Sequence, residues 1–276
     1  MPSSASIVTE ADSAAETGNQ YSLARILGIW VLAAVPMGLL SWIVFPALSP
    51  VGSDPLEAGV LRIALLTGGL IWLFVLSMII VRQEEGDLRW TTIKRRLRLN
   101  APRDPETGGT RRRLWLWVIP FLVASVVWDV ALKSYVGDVS VSIFPFLAEP
   151  PNYGFEAVFK SQEILDRLVG AWWFLGLIVV FLAFNSILGE ELLFRGVLLP
   201  RMQGVFGRWS WVANGVLFGF YHVHQPWGIV DSAIGGVFFL AYPSWRLRST
   251  WMGVIVHSAQ SVFFAFLVFG VVLGLA

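Results

Sequence analysis

The sequence predicts an all-α protein, a polytopic bundle of about seven transmembrane helices. Two observations about composition lead there. The 276 residues are 56% hydrophobic and only 14% charged, where an ordinary soluble domain carries about 25% charged residues. The mean hydropathy is +0.67. A third observation is local: several apolar runs exceed the ~18 residues that a bilayer-crossing helix needs.

Residues 1–22 come first. MPSSASIVTEADSAAETGNQ is polar and acidic and lacks the basic and apolar regions of a signal peptide. Its composition reads as a disordered tail. The helical domain then runs over 23–276, with apolar segments at 23–47, 57–81, 114–134, 168–199, 209–223, 228–243 and 250–275. The fourth is too long to be only a span, so it is expected to bend or emerge. The fifth and sixth are short, which suits a tilted or interfacial helix.

Orientation follows from the basic residues. The loop 82–113 holds ten of the chain's twenty Lys and Arg, which makes it cytoplasmic and places the N-terminus on the same side. The turns carrying Arg201, Arg208, Arg246 and Arg248 then fall inside as well, while 48–56 and 135–167 lie outside. The basic run reads as a topology determinant resting on anionic lipid headgroups. A nucleic-acid or specific lipid site is the competing reading of this run, and no nucleic-acid partner is expected. There is no internal repeat and no second soluble domain.

Ionisable residues within spans are functional candidates, and they are expected to concentrate in the last four segments. Glu190, Glu191 and Arg195 lie in GEELLFRG, His222 and His224 in FGFYHVHQ, and His257 in VIVHSAQSV. At about 1.5 Å of rise per residue, Glu190, His222 and His257 lie roughly 15, 20 and 10 Å from the cytoplasmic ends of their helices. They can therefore meet at similar depth. His224 falls on another face and is the weakest member. Glu191 and Arg195 are spaced i,i+4 and can pair along one face. Glu190, about 100° away around the axis, is then free to face the histidines.

The chain has no cysteine, which excludes disulfides, thiolate nucleophiles and cysteine-held metals. No GxSxG elbow and no HExxH zinc motif occur. Asp129 and Asp231 do not sit in a GxGD context. What remains is water activated by a carboxylate and an imidazole, with polar groups stabilising the oxyanion.

Three elements carry a family resemblance. EELLFR fits E-E-x-x-x-R, Phe218 to His222 fits F-x-x-x-H, and His257 opens an H-x-x-x-N-like element. Over residues 168–270 the chain resembles the CAAX protease and bacteriocin-processing (CPBP or Abi) family of intramembrane glutamic endopeptidases. The resemblance implies that Glu190 is the general base and activates water with His222. It implies that His257 and the residue four later form the oxyanion site, and that Glu191 and Arg195 hold the helix in place. The pattern breaks at position 261, which is Ser rather than Asn, so Ser261 or Gln260 would supply the second donor. No cofactor and no metal are expected. The implied partner is a membrane-anchored or lipidated protein or peptide in the lipid bilayer. For the eukaryotic branch that is a prenylated CaaX protein; for bacterial members the proposals include bacteriocin maturation, immunity and sorting of surface proteins. The size suits a bacterial inner-membrane protein. Two other classes compete: a non-catalytic scaffold or immunity protein, which Ser261 favours, and a proton-coupled transporter using the buried Glu and His residues. A zinc enzyme, with two His and a Glu as ligands, is a further alternative that a chelator would expose.

Overall fold

The computed structural model describes residues 19–275 apart from 51, 151, 152, 154–158 and 160. The chain is a helical membrane bundle, and there is no β-sheet among the described residues. In order, the helices are α1 (Leu23–Leu48), α2 (Pro55–Glu85), α3 (Trp90–Arg96), α4 (Arg112–Ile143), α5 (Gln162–Leu168), α6 (Trp172–Arg201), α7 (Ser210–Tyr221), α8 (229–246) and α9 (Thr250–Val272). Five of these, α1, α2, α4, α6 and α9, are long and apolar enough to cross a membrane. The chain is an integral membrane protein. Of the seven expected segments, the two short ones are α7 and α8, which fall outside that set of five.

The helix ends follow from local chemistry. Asp54 caps α2, its carboxylate accepting from the backbone N–H groups of Leu56 and Glu57 at 3.0 Å each, with Pro55 at the first position. Gly86 ends the helix in the left-handed conformation at φ 81°. Ser22 caps α1 through Arg25 N–H at 3.2 Å. Of the expected tail, residues 1–18 lie outside the described residues. Tyr21 is buried, and its N–H donates to the Arg201 carbonyl at 3.0 Å.

The basic loop 82–113 is folded onto the bundle, not merely spread over a lipid surface. Arg96 is 4% exposed and donates to Glu84 at 2.7 Å, to the Tyr21 hydroxyl at 2.8 Å and to the Gly196 carbonyl at 3.3 Å. Burial pushes the Tyr21 phenol up to about 12. Beyond α3, the Thr250 hydroxyl donates to the Leu97 carbonyl and Thr250 N–H to the Arg98 carbonyl. This stretch therefore clamps the start of α9 beside the end of α6.

The main apolar core lies between α1, α2 and α6, with Leu70, Leu73, Leu193, Phe194 and Val197 almost fully enclosed. One close approach makes it possible. A Cβ on Gly189 would stand 2.8 Å from the Leu70 carbonyl oxygen, so only glycine lets α6 touch α2 there. The long fourth segment changes its helical form along its length. Helix α6 is α-helical over Trp172–Ala183, widens to π-helix over Phe184–Gly189 and again over Leu192–Leu198, and ends in a 3₁₀ turn. π-Segments inside helices recur at functional sites. Here Glu190 and Glu191 stand between the two.

Candidate active site

The two carboxylates are buried, Glu190 at 2% and Glu191 at 0% exposure, and they have different surroundings. Glu191 Oε1 pairs with Arg195 Nη1 at 3.1 Å and accepts from His257 Nδ1 at 3.0 Å. Its other oxygen faces Gly253 on α9, where a Cβ would come within 2.5 Å. Arg195 is enclosed: Nη2 donates to the Gly236 carbonyl at 3.4 Å, and the guanidinium lies 4.1 Å from the Phe218 ring centre. This cation–π seat helps hold a desolvated charge. The i,i+4 pair thus ties α6 to α8 and α9 through a single carboxylate.

Glu190 lines two adjoining cavities. The larger, about 290 Å³, is also walled by Asn185, His224, His257, Ser261 and Arg62. The smaller, about 160 Å³, adds His222, Phe218, Asp129 and Asp231 while sharing Glu190, Asn185, His257 and Gln260. Glu190 therefore sits where the two spaces meet. The fully buried Tyr221 turns its hydroxyl toward Glu190 without closing a hydrogen bond of ordinary length.

Hydrogen bonding fixes the two imidazoles. His222 follows α7, and its Nδ1 lies 2.9 Å from the Phe218 carbonyl. A carbonyl can only accept, so Nδ1 carries the proton and Nε2 of the neutral ring is an acceptor. His257 directs Nδ1 to the Glu191 carboxylate, and its Nε2 lies 3.4 Å from Asn185 Nδ2. Phe218 packs edge-on against His222, with ring centres 4.9 Å apart, and against His257 at 6.4 Å. It is the apolar wall joining the two imidazoles.

Glu190, His222 and His257 all line the smaller cavity. Ser261 lines the larger one, while Gln260 lines both and donates its side-chain amide to Asp129. His224, expected on another face, is 3% exposed and lines the larger cavity, stacked on His222 at 5.3 Å between ring centres. It departs from the helical register because α7 ends at Tyr221 and a 3₁₀ turn carries both histidines. Asp129 and Asp231 form a polar link to α4: Trp128 Nε1 donates to Asp231 at 2.6 Å, and Lys133 pairs with Asp231 at 3.1 Å.

Two residues escaped the sequence reading. Asn185 presents an amide beside His257, and only its polarity within an apolar run could have flagged it. Arg62 lies in α2, well before the four segments expected to hold the ionisable residues. It is 5% exposed and was visible as a lone charge inside an apolar run. Among the described residues, no group of three or more His, Asp or Glu could hold a metal ion.

Residues 171–263 match the model of the Rce1-like family, type II CAAX prenyl endopeptidases. Over this segment the chain is similar to that family. The matched segment takes in all of α6, α7 and α8 and the first part of α9, and so includes Glu190, Glu191, Arg195, His222 and His257. It leaves α1, α2 and α4 outside, although α2 and α4 help wall the cavities. The family is one of membrane proteases, so the chain's kind of function is CAAX-type intramembrane proteolysis. No curated protein and no solved structure matches the chain.

Proposed function

We propose that this protein is a metal-independent intramembrane glutamic endopeptidase acting on a membrane-anchored or lipidated protein or peptide, with CAAX-type prenylated substrates the first class to try. The observation that carries this reading is the pairing of two adjacent buried glutamates with separate duties. Glu191 is committed to Arg195 and His257, whereas Glu190 opens onto both cavities.

In the proposed mechanism a water sits between Glu190 and His222. The Glu190 carboxylate takes one of its protons, and the Nε2 acceptor of His222 orients the other. The water oxygen bonds to the scissile carbonyl carbon, and the carbonyl π electrons move onto its oxygen. His257 lies beside that oxyanion with its Nδ1–H on Glu191, and it donates from Nε2 once that nitrogen carries a proton. Asn185 supplies a second N–H from α6. When the tetrahedral carbon collapses, the C–N bond breaks and the proton held by Glu190 passes to the departing amine. Atoms and charges balance without a metal.

Asn185 matters because position 261 lacks an amide. Its Nδ2 lies 3.4 Å from His257 Nε2, beside the donor that the mechanism needs. Gln260 is less suited, because its amide is engaged by Asp129. Ser261 favours the scaffold reading, and an amide beside His257 in the cavity that Ser261 also lines weighs against it.

The deciding experiment is hydrolysis of prenylated and otherwise lipidated peptides by the purified protein and by Glu190→Gln, with and without chelator. Chelator-resistant cleavage that is lost in Glu190→Gln supports the reading. Cleavage abolished by chelator, or retained in Glu190→Gln, overturns it.

A further inference from the structure

A separate cavity of about 230 Å³ opens at the end of the bundle that carries the basic loop. Its walls come from the α6–α7 turn (Pro200, Gln203), the first residue of α7 (Ser210), the end of α8 and the turn to α9 (Arg246, Arg248), and the segment after α3 (Arg98). It shares no lining residue with either cavity at Glu190. Pro200 stands ten residues past Glu190, about 15 Å along α6.

Packing does not explain two features of this space. The first is Ser210, which is 0% exposed and whose hydroxyl has no hydrogen-bond partner. A buried hydroxyl left unpaired is costly, and one that persists at a cavity wall points to a partner from outside the chain. The second is the backbone. Arg98 and Arg248 are the two non-glycine residues at positive φ among the described residues, at 51° and 47°, and both line the cavity.

Glycine adopts that conformation freely, whereas a Cβ makes it costly. Hydrogen bonds hold both residues there. The Arg98 carbonyl accepts from Thr250 N–H at 3.0 Å, and the Arg248 carbonyl from Asn100 Nδ2 at 3.1 Å. Both bonds use backbone carbonyls, which glycine would offer equally. What arginine adds at each position is a guanidinium at the cavity wall.

Among the described residues no carboxylate lines the cavity. Arg246 also walls a neighbouring space with Asp104 and Glu106, where Asp104 accepts from the backbone N–H groups of Glu106 and Thr107. Helix α7 starts at Ser210, so the positive end of its dipole adds to the same field. Guanidinium forks and a hydroxyl are donors matched to a tetrahedral oxyanion. Leu199 and Trp245 give the cavity an apolar side, and tryptophan favours the headgroup level of a bilayer.

We propose that this cavity is a binding site for a phosphate group, either the headgroup of an anionic phospholipid or a soluble phosphate, with Arg246, Arg248 and the Ser210 hydroxyl as its donors. The bound phosphate joins the start of α7 to the turn between α8 and α9. The site stands apart from Glu190, and it holds whether or not the protease reading does.

The test reads binding and folding without turnover. Full-length protein in neutral detergent is titrated with dioctanoyl phosphatidic acid, inorganic phosphate and dioctanoylglycerol, and binding is followed by microscale thermophoresis. The expected result is saturable binding of phosphatidic acid, about tenfold or more tighter than dioctanoylglycerol and weakened by added salt. Inorganic phosphate that binds as tightly as the lipid identifies a soluble ligand; much weaker binding identifies a lipid headgroup. Ser210→Ala keeps the ligand-free melting temperature, because it removes an unpaired hydroxyl, and weakens binding by about tenfold. Arg248→Gly relaxes the backbone while removing a cation, so it stays folded and weakens binding to a similar degree. Saturable binding of neither phosphate compound by wild type overturns the inference, as does equal binding of phosphatidic acid and dioctanoylglycerol. Undiminished binding in both folded variants also overturns it. So does a lowered ligand-free melting temperature in Ser210→Ala, which would assign the hydroxyl to the fold.

Discussion

Glu191 holds Arg195 and His257 through the same oxygen, Oε1, at 3.1 and 3.0 Å. One carboxylate on α6 thereby sets an imidazole on α9 and neutralises a cation that reaches the α8 backbone. Replacing it leaves a buried guanidinium without a counter-charge. Glu191→Gln is expected to destabilise the protein by about 3–5 kcal/mol. Pairing it with Arg195→Met recovers a large part of that loss, because no unpaired charge remains. Thermal unfolding in detergent, as a double-mutant cycle, reads the coupling.

Glu190 makes no ion pair of ordinary distance among the described residues. Glu190→Gln should leave the melting temperature within a few degrees of wild type and lower kcat by at least about 10²–10⁴. A comparable melting loss for Glu190→Gln and Glu191→Gln would remove the distinction between the two carboxylates.

Gly253 tests the spacing between α6 and α9. An alanine methyl there would meet Glu191 Oε2 at 2.5 Å and Ser244 Oγ at 2.8 Å. Ser244 Oγ accepts from Gly253 N–H at 3.0 Å and the Glu191 carboxylate is anchored through Oε1, so the added carbon must displace both groups. Gly253→Ala is predicted to cost about 1–3 kcal/mol by overpacking and to reduce cleavage by moving His257. Normal activity in this variant would show that His257 tolerates displacement.

Asn185 is expected to act on the transition state. Asn185→Ala should lower kcat by about 10²–10³ with little change in KM, the signature of a lost oxyanion donor. Introducing Asn at Ser261 in that background should restore part of the rate. An unchanged kcat in Asn185→Ala would return the oxyanion role to Ser261.

Arg96 separates fold from chemistry. It is 4% exposed and bonded to Glu84, Tyr21 and the end of α6, far along α6 from Glu190. Arg96→Met should destabilise by about 3–5 kcal/mol, while folded protein at low temperature keeps the wild-type kcat. A kcat defect at full folding would mean that this clamp also sets the site.

The amino-acid pattern specifies an α-helical membrane protein, because a long apolar run has few other ways to satisfy its backbone in lipid. It also determined the Glu191–Arg195 pair, since i,i+4 spacing survives in any nearly helical turn. The tertiary structure alone decided the rest. His257 meets Glu191 because Gly253 lets α9 come close, and nothing in either segment encodes that approach. His224 returns to the larger cavity because α7 gives way to a 3₁₀ turn, which breaks the regular angular count. Asn185 gains meaning only from what faces it across a cavity. Local patterns in a sequence record which groups are costly to bury, but their partners are chosen by helix packing between residues far apart in the chain.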